Sequence, residues 1–319
     1  RYTEGSARCY RAFEKDGGRT MELNGRKIGP GEPCYIIAEI GQNHQGDAYT
    51  ACRLIQMAEK CGVDAVKLQA RSAVEEFSVH DLNEPYTGRN SFGATYWDHR
   101  EALDLTRTDF AHLKDRHHYN SNECDLFTTV CAPCWIDWLE REDWCSFYKI
   151  ASKDMRNQAL IETLAKTGKP LILSTGMAET MHAISQSYNW AACHTSVAVM
   201  HCVSAYPVAH EDVNLKAIDT LRQELGCPVG YSDHSAGVKA PVTAAMRYNA
   251  DLIEVHITAN RALPGSDHAA SLEEPGLNQL VQWIRQAEKM DGTGALSKPT
   301  VVAENRKKYG VLNQIQSLY

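Results

Sequence analysis

The stretch Tyr35-Ile36-Ile37-Ala38-Glu39-Ile40-Gly41-Gln42-Asn43-His44-Gln45-Gly46 decides the fold. Its first six residues are an apolar run of strand length, interrupted only by Glu39. An apolar run without alternation belongs to a strand covered on both faces, as in a parallel sheet. Beyond the turn, Leu54, Ile55, Ala58 and Cys61 recur at helical spacing, and Gly62 supplies a helix stop. The turn from Gly41 to Gly46 lacks the GxGxxG spacing that opens a doubly wound dinucleotide-binding sheet.

The same strand-then-helix alternation repeats outward from this unit. Further strand runs are Asp64–Gln69, Asp125–Val130, Phe147–Ser152, Pro170–Thr175, Val197–Cys202, Val229–Asp233 and Leu252–Ile257. Helix-period residues lie between or after them, such as Leu160, Ile161, Leu164 and Ala165, or Leu277, Leu280, Val281 and Ile284. Eight buried parallel-type strands, each followed by a helix, point to an α/β fold, a (β/α)8 TIM barrel over residues 34–292. Residues 1–33 read as an N-terminal extension in which Asn24-Gly25 can close a small hairpin. Arg71 to Thr108 reads as an extended polar loop on the face where barrels bind substrate.

Composition excludes several classes. Of 319 residues, 43% are hydrophobic and 23% charged, an ordinary globular profile that rules out disordered and collagen-like chains. No window approaches a membrane span. Arg1 to Thr20 has no apolar core of a secretory leader, so the chain reads as cytoplasmic. A net charge of −7 without a basic run makes nucleic acid and anionic membranes poor partners. The 11 cysteines read as mostly reduced, small buried residues. Cys131 and Cys134 form a lone CxxC, and a zinc site would need a second ligand pair.

A barrel places its chemistry at the C-terminal strand ends. There the sequence sets Glu39, Asn43 and His44 on the first strand, Lys67 and Gln69 on the second, and Thr128 and Thr129 on the third. Lys149, Ser152 and Asp154 follow on the fourth, Ser174 and Thr175 on the fifth, and His201, Ser204 and Tyr206 on the sixth. Ser232, Asp233 and His234 end the seventh, and the eighth carries Glu254 and His256. Two lysines among hydroxyls make a donor-rich pocket for a phosphate and a carboxylate on one small molecule. The plainer reading of each lysine is an ion pair with Glu39 or Glu254. His234 and His256 on adjacent strands can meet on one metal ion, and two histidines with oxygen ligands fit Mn²⁺ or a similar ion.

These residues fall in motifs that resemble the sialic acid synthase family. The match runs through Ile37-Ala38-Glu39-Ile40-Gly41-Gln42-Asn43-His44-Gln45-Gly46-Asp47, Val66-Lys67-Leu68-Gln69, Tyr148-Lys149-Ile150-Ala151-Ser152 and Ser174-Thr175-Gly176-Met177. It continues through Ser204-Ala205-Tyr206-Pro207, Gly230-Tyr231-Ser232-Asp233-His234, Glu254-Val255-His256 and Gly265-Ser266-Asp267-His268. The resemblance covers roughly residues 21–310 and is loose only at Phe127-Thr128-Thr129.

It implies a metal-dependent condensation of phosphoenolpyruvate with the open-chain aldehyde of N-acetylmannosamine, its 6-phosphate or a related sugar. The products are a nine-carbon 3-deoxy-2-keto acid (a sialic or other nonulosonic acid) and phosphate. It further implies that Lys67, Thr129, Lys149, Ser152, Ser174, Ser204 and Ser232 hold phosphoenolpyruvate, with Glu39, Lys67 and Lys149 catalytic. Gln69, Asp154, Tyr206 and Asp267 would contact the sugar. His234 and His256 would bind the metal, Mn²⁺ first and Mg²⁺ or Co²⁺ otherwise. Family members pair as dimers, which implies a homodimer by analogy.

Two departures stand out. The family has glycine where this chain has Lys153, and glycine there lets backbone approach a ligand. The lysine must either add bulk and charge at the pocket floor or turn outward. Residues 293–319 read as a tail or a truncated linker to the family's antifreeze-like domain, so no residue takes the role of that domain's arginine. Two other classes stay open from the residues alone: an aldolase or lyase using Lys149 as a Schiff base, and a non-catalytic barrel that binds phosphoenolpyruvate.

Overall fold

The computed structural model describes residues 20–120, 124–292 and 300–308. The readings made for residues 1–19, 293–299 and 309–319 lie outside these. The chain divides into two compact units, Arg1–Arg285 and Gln286–Tyr319. The first holds a hairpin and a closed barrel. The second holds the end of helix Glu274–Asp291 and helix Thr300–Lys308.

Strands β1 (Met21–Leu23) and β2 (Arg26–Ile28) pair antiparallel around Asn24-Gly25. Both turn residues have positive φ, 46° and 80°, the conformation that a two-residue hairpin turn demands. The barrel strands are β3 (Tyr35–Glu39), β4 (Ala65–Ala70), β5 (Asp125–Val130), β6 (Tyr148–Ile150), β7 (Leu171–Ser174), β8 (Val197–Cys202), β9 (Val229–Asp233) and β10 (Leu252–His256). All neighbours pair in parallel, and β10 closes on β3. The eight runs read from the sequence are these eight strands. The fourth ends earlier than expected, because Ser152–Asp154 turns off as a 3-10 helix.

Local chemistry sets the helices. Helix Ala48–Cys61 starts at Asp47, whose carboxylate accepts from the backbone N–H of Tyr49 and Thr50, and stops at Gly62 with φ 81°. It buries Leu54, Ile55 and Ala58. Full burial of each leucine or isoleucine contributes about 1.5–3 kcal/mol. The β4–β5 connection is more ordered than the extended loop expected for it. It contains helices Ala73–Glu76, Val79–Asn83 and Tyr96–Leu103. The second and third start at side-chain caps, Ser78 and Thr95, and none of the three is long enough to show an apolar period, which is why a periodicity reading passes over them. Among the described residues, no helix is long and apolar enough to cross a membrane.

Candidate active site

Strand register assembles the site. Parallel pairing sets Glu39 beside both Lys67 and His256, Thr129 beside both Gln69 and Lys149, and Ser232 beside Glu254. Their side chains converge on a cavity of about 320 Å³ at the C-terminal mouth of the barrel. Glu39, Lys67, Gln69, Thr129, Lys149, Ser152, Ser174, Ser204, Tyr206, Ser232, His234, His256 and Asp267 all line it. Asp154, expected at the sugar, does not. Its carboxylate turns to Lys153 Nζ at 2.9 Å. Lys153 itself does line the cavity and does not turn outward.

Both lysines make the ion pairs that were their plainer reading, and both also line the cavity. Lys67 Nζ lies 2.6 Å from Glu39 Oε2 and donates to Thr129 Oγ1 at 2.7 Å. Lys149 Nζ donates to Glu254 Oε1 at 2.5 Å, and Ser232 Oγ donates to the same oxygen at 3.0 Å. Glu254 Oε2 is 3.9 Å from Lys67 Nζ, so this carboxylate joins the two lysines. Burial alone would raise the Glu254 carboxyl, but Lys149 and Lys67 overcome it and hold it low. Burial, helped by the nearby Lys67 charge, lowers Lys149 despite Glu254, whereas at Lys67 the two carboxylates outweigh burial and raise it. The result is two buried ammonium groups, each paired and each facing open space. Glu254 was legible as an ion-pair candidate for either lysine, but not which lysine it takes. Its partner is 105 positions away, and no local pattern names it.

On the other side of the mouth, His234 and His256 lie with ring centroids 5.5 Å apart. His234 Nδ1 is 2.7 Å from the Val203 carbonyl, which can only accept, so Nδ1 carries the proton. Nε2 is then a lone pair, and it accepts from the Tyr206 hydroxyl at 3.0 Å. Burial, followed by the neighbouring His256, pushes the His234 imidazole down to about 4, so it is neutral and able to ligate. His256 Nδ1 is buried without a hydrogen-bond partner, 3.7 Å from Asp267 Oδ2. These two histidines are the residues that could hold a divalent ion. Among the described residues no group of three or more His, Cys, Asp or Glu side chains is placed to hold one, so the remaining ligands would be oxygens of substrate or water.

Two glycines keep the space open. A Cβ on Gly41 would meet Asp267 Oδ2 at 2.7 Å and His256 Nδ1 at 3.2 Å, and its φ of +57° is itself unfavourable for a side chain. A Cβ on Gly176 would meet Cys202 Sγ and Ser204 Oγ at 2.6 Å and Ser152 Oγ at 3.0 Å. Gln69 Nε2 donates to Glu39 Oε1 at 2.6 Å, which fixes the free edge of that carboxylate. Arg71, Gln42, Cys202, Met177 and Ser266 also line the cavity and were not singled out from the sequence. Nothing in the CxxC favours a reactive thiolate. Both thiols are free, and burial pushes Cys131 up to about 12.

Comparison with known proteins bears on this geometry. A model of the NeuB family matches residues 54–295. The chain is 36% identical over 280 residues to the N-acetylneuraminate-9-phosphate synthase of Homo sapiens, covering 86% of this chain and 75% of that protein. It is 35% identical over 290 residues to the N,N'-diacetyllegionaminic acid synthase of Legionella pneumophila, covering 87% and 79%. The crystal structure of the N-acetylneuraminic acid synthetase of Leptospira borgpetersenii superposes with a TM-score of 0.76 at 30% identity, covering 93% of this chain and 98% of that one. The matched span carries β4 through β10 with their strand-end residues, and with relatives that are synthases of sialic and related acids it places this chain in the NeuB family of enzymes.

Proposed function

We propose that this enzyme condenses phosphoenolpyruvate with the open-chain aldehyde of N-acetylmannosamine or a related hexosamine, releasing phosphate and a nine-carbon 3-deoxy-2-keto sugar acid. The observation that carries this reading is the pairing of two features in one cavity: the Lys67–Lys149 ammonium pair and the His234–His256 imidazole pair.

Lys67 and Lys149 would hold the carboxylate and phosphate of phosphoenolpyruvate, with Thr129, Ser152, Ser174, Ser204 and Ser232 donating hydroxyls. Ser174 Oγ is buried without a hydrogen-bond partner, as a group reserved for a ligand would be. His234 and His256 would hold a divalent metal, Mn²⁺ by preference, which when bound supplies a Lewis acid for the acceptor aldehyde. Carbon 3 of phosphoenolpyruvate bonds to the aldehyde carbon, the carbonyl π pair passes to the aldehyde oxygen, which takes a proton, and cationic character develops at carbon 2. Water adds there with loss of one proton, and as the remaining hydroxyl gives up its proton to form the ketone, the carbon–oxygen bond to phosphate breaks. Glu39, its carboxylate oriented by Gln69 and Lys67, would take the proton of that water. Gln69, Tyr206 and Asp267 would meet the sugar.

The Schiff-base alternative draws support from the lowered Lys149, since a neutral amine is the nucleophile it needs. The Glu254 carboxylate at 2.5 Å opposes it, because it holds the proton on that amine. Phosphate release from phosphoenolpyruvate with Mn²⁺ and a panel of N-acetylhexosamines is the test. The expected result is release with one acceptor, abolished by EDTA and by His256→Ala. Chelator-resistant turnover with borohydride trapping of pyruvate would reject this reading.

A further inference from the structure

One wall of the cavity carries a second pair of cations that the contacts proposed above leave unused. Arg71 stands two residues past Gln69, just beyond β4, and Lys153 lies on the turn after β6. Both line the cavity, and their counterions do not. Glu76, with a side chain only 1% exposed, takes Arg71 Nη2 at 2.7 Å and Lys153 Nζ at 3.1 Å. Asp154 takes Lys153 Nζ at 2.9 Å. The acids are therefore set back from the cavity and the cations form its surface.

Donor counting shows capacity to spare. The Arg71 guanidinium has five N–H groups. Nε and Nη2 each reach Glu76, at 3.3 and 2.7 Å, and Nη1 reaches Gln69 Oε1 at 3.3 Å. One hydrogen on each terminal nitrogen remains. The Lys153 ammonium has three hydrogens and two carboxylate partners. Unspent donors on two cations at a cavity wall match the oxygens of a phosphate or carboxylate, and a neutral hydroxyl group uses them poorly.

We propose that Arg71 and Lys153 form a second anion subsite, which takes a phosphate carried by the acceptor sugar. This deepens the reading given above and rests on it, because it assumes that a sugar enters beside phosphoenolpyruvate. Lys153 is then a specificity-determining residue of this chain, and its presence in place of a glycine has a function.

The test compares N-acetylmannosamine with its 6-phosphate by titration calorimetry on the Mn²⁺-treated enzyme without phosphoenolpyruvate. The phosphorylated sugar should bind at least tenfold more tightly. Lys153→Met should remove most of that advantage and leave the neutral sugar and phosphoenolpyruvate within twofold, which also shows that the variant is folded. Equal affinities, tighter binding of the neutral sugar, or no binding of the phosphorylated one would overturn the subsite. So would equal weakening of both sugars, which is the signature of a merely structural ion cluster. Weakened phosphoenolpyruvate binding would assign the wall to that ligand's phosphate instead. Phosphate release is scored separately. A binding difference without release from either sugar overturns the condensation and spares the subsite, and release with only the neutral sugar does the reverse.

Discussion

The two ends of the barrel use the same residue types in opposite ways. At the N-terminal end the acids are held by fixed donors of the protein. Asp64 accepts from the Ile36 N–H at 2.6 Å and is bracketed by the guanidinium groups of Arg26 and Arg285. Asp125 accepts from the Tyr35 hydroxyl and the Asn24 amide, and Asp251 from the Val229 N–H at 2.8 Å. At the C-terminal end the charges are also paired, but around an open cavity, and Ser174 Oγ and His256 Nδ1 are left without hydrogen-bond partners. An acid whose lone pairs are all taken contributes rigidity and has nothing left for a ligand. A polar group left short of partners is costly, and it persists where a ligand completes it.

This contrast can be broken at either end. Lys149→Met should have the largest effect, a loss of about 10³-fold in kcat/KM for phosphoenolpyruvate, because it removes a buried cation beside the reacting charge. Steady-state phosphate release measures it, and a loss below tenfold would mean that the top of the barrel is merely structural. Asp64→Ala should cost about 3 kcal/mol of stability, since two arginines and a backbone N–H lose their shared acceptor. Activity per folded molecule should stay the same in urea-titrated samples, and a specific activity defect would blur the division between the ends.

The smallest effect concerns His44, at the C-terminal end. Burial, then the nearby Arg100, pushes it down to about 4. In the unfolded chain it titrates near 6.5, so between these values the unfolded state binds more protons. Stability is full above about pH 6.5 and declines as the pH falls toward 4. From pH 7 to pH 5 this one group should remove about 2 kcal/mol. His44→Gln should flatten that part of the urea-unfolding profile, and an unchanged slope would show that other groups govern it.

Much of this was legible because a barrel strand is covered on both faces. Its apolar run makes any polar interruption conspicuous, and Lys67, Lys149 and Glu254 each break such a run. The choice of partners was not legible. Which lysine takes Glu39 and which takes Glu254 depends on strand register across the whole ring. Asp154 was misplaced for a related reason. Its adjacent lysine captures the carboxylate and turns it away from the cavity, and spacing alone carries no sign of this. Arg71 went unread because its partner Glu76 sits on a four-residue helix with no apolar face to announce it.

The closure of β10 on β3 has a consequence outside catalysis. In an open sheet the outermost strands present unpaired N–H and C=O groups that can recruit a strand from another chain. Here every barrel strand has two neighbours, so the ring offers no such template. Among the described strands only the three-residue pair β1 and β2 has a free side. Self-association through the backbone of the barrel strands therefore requires the ring to open first, which ties that route to aggregation to the global stability of the barrel.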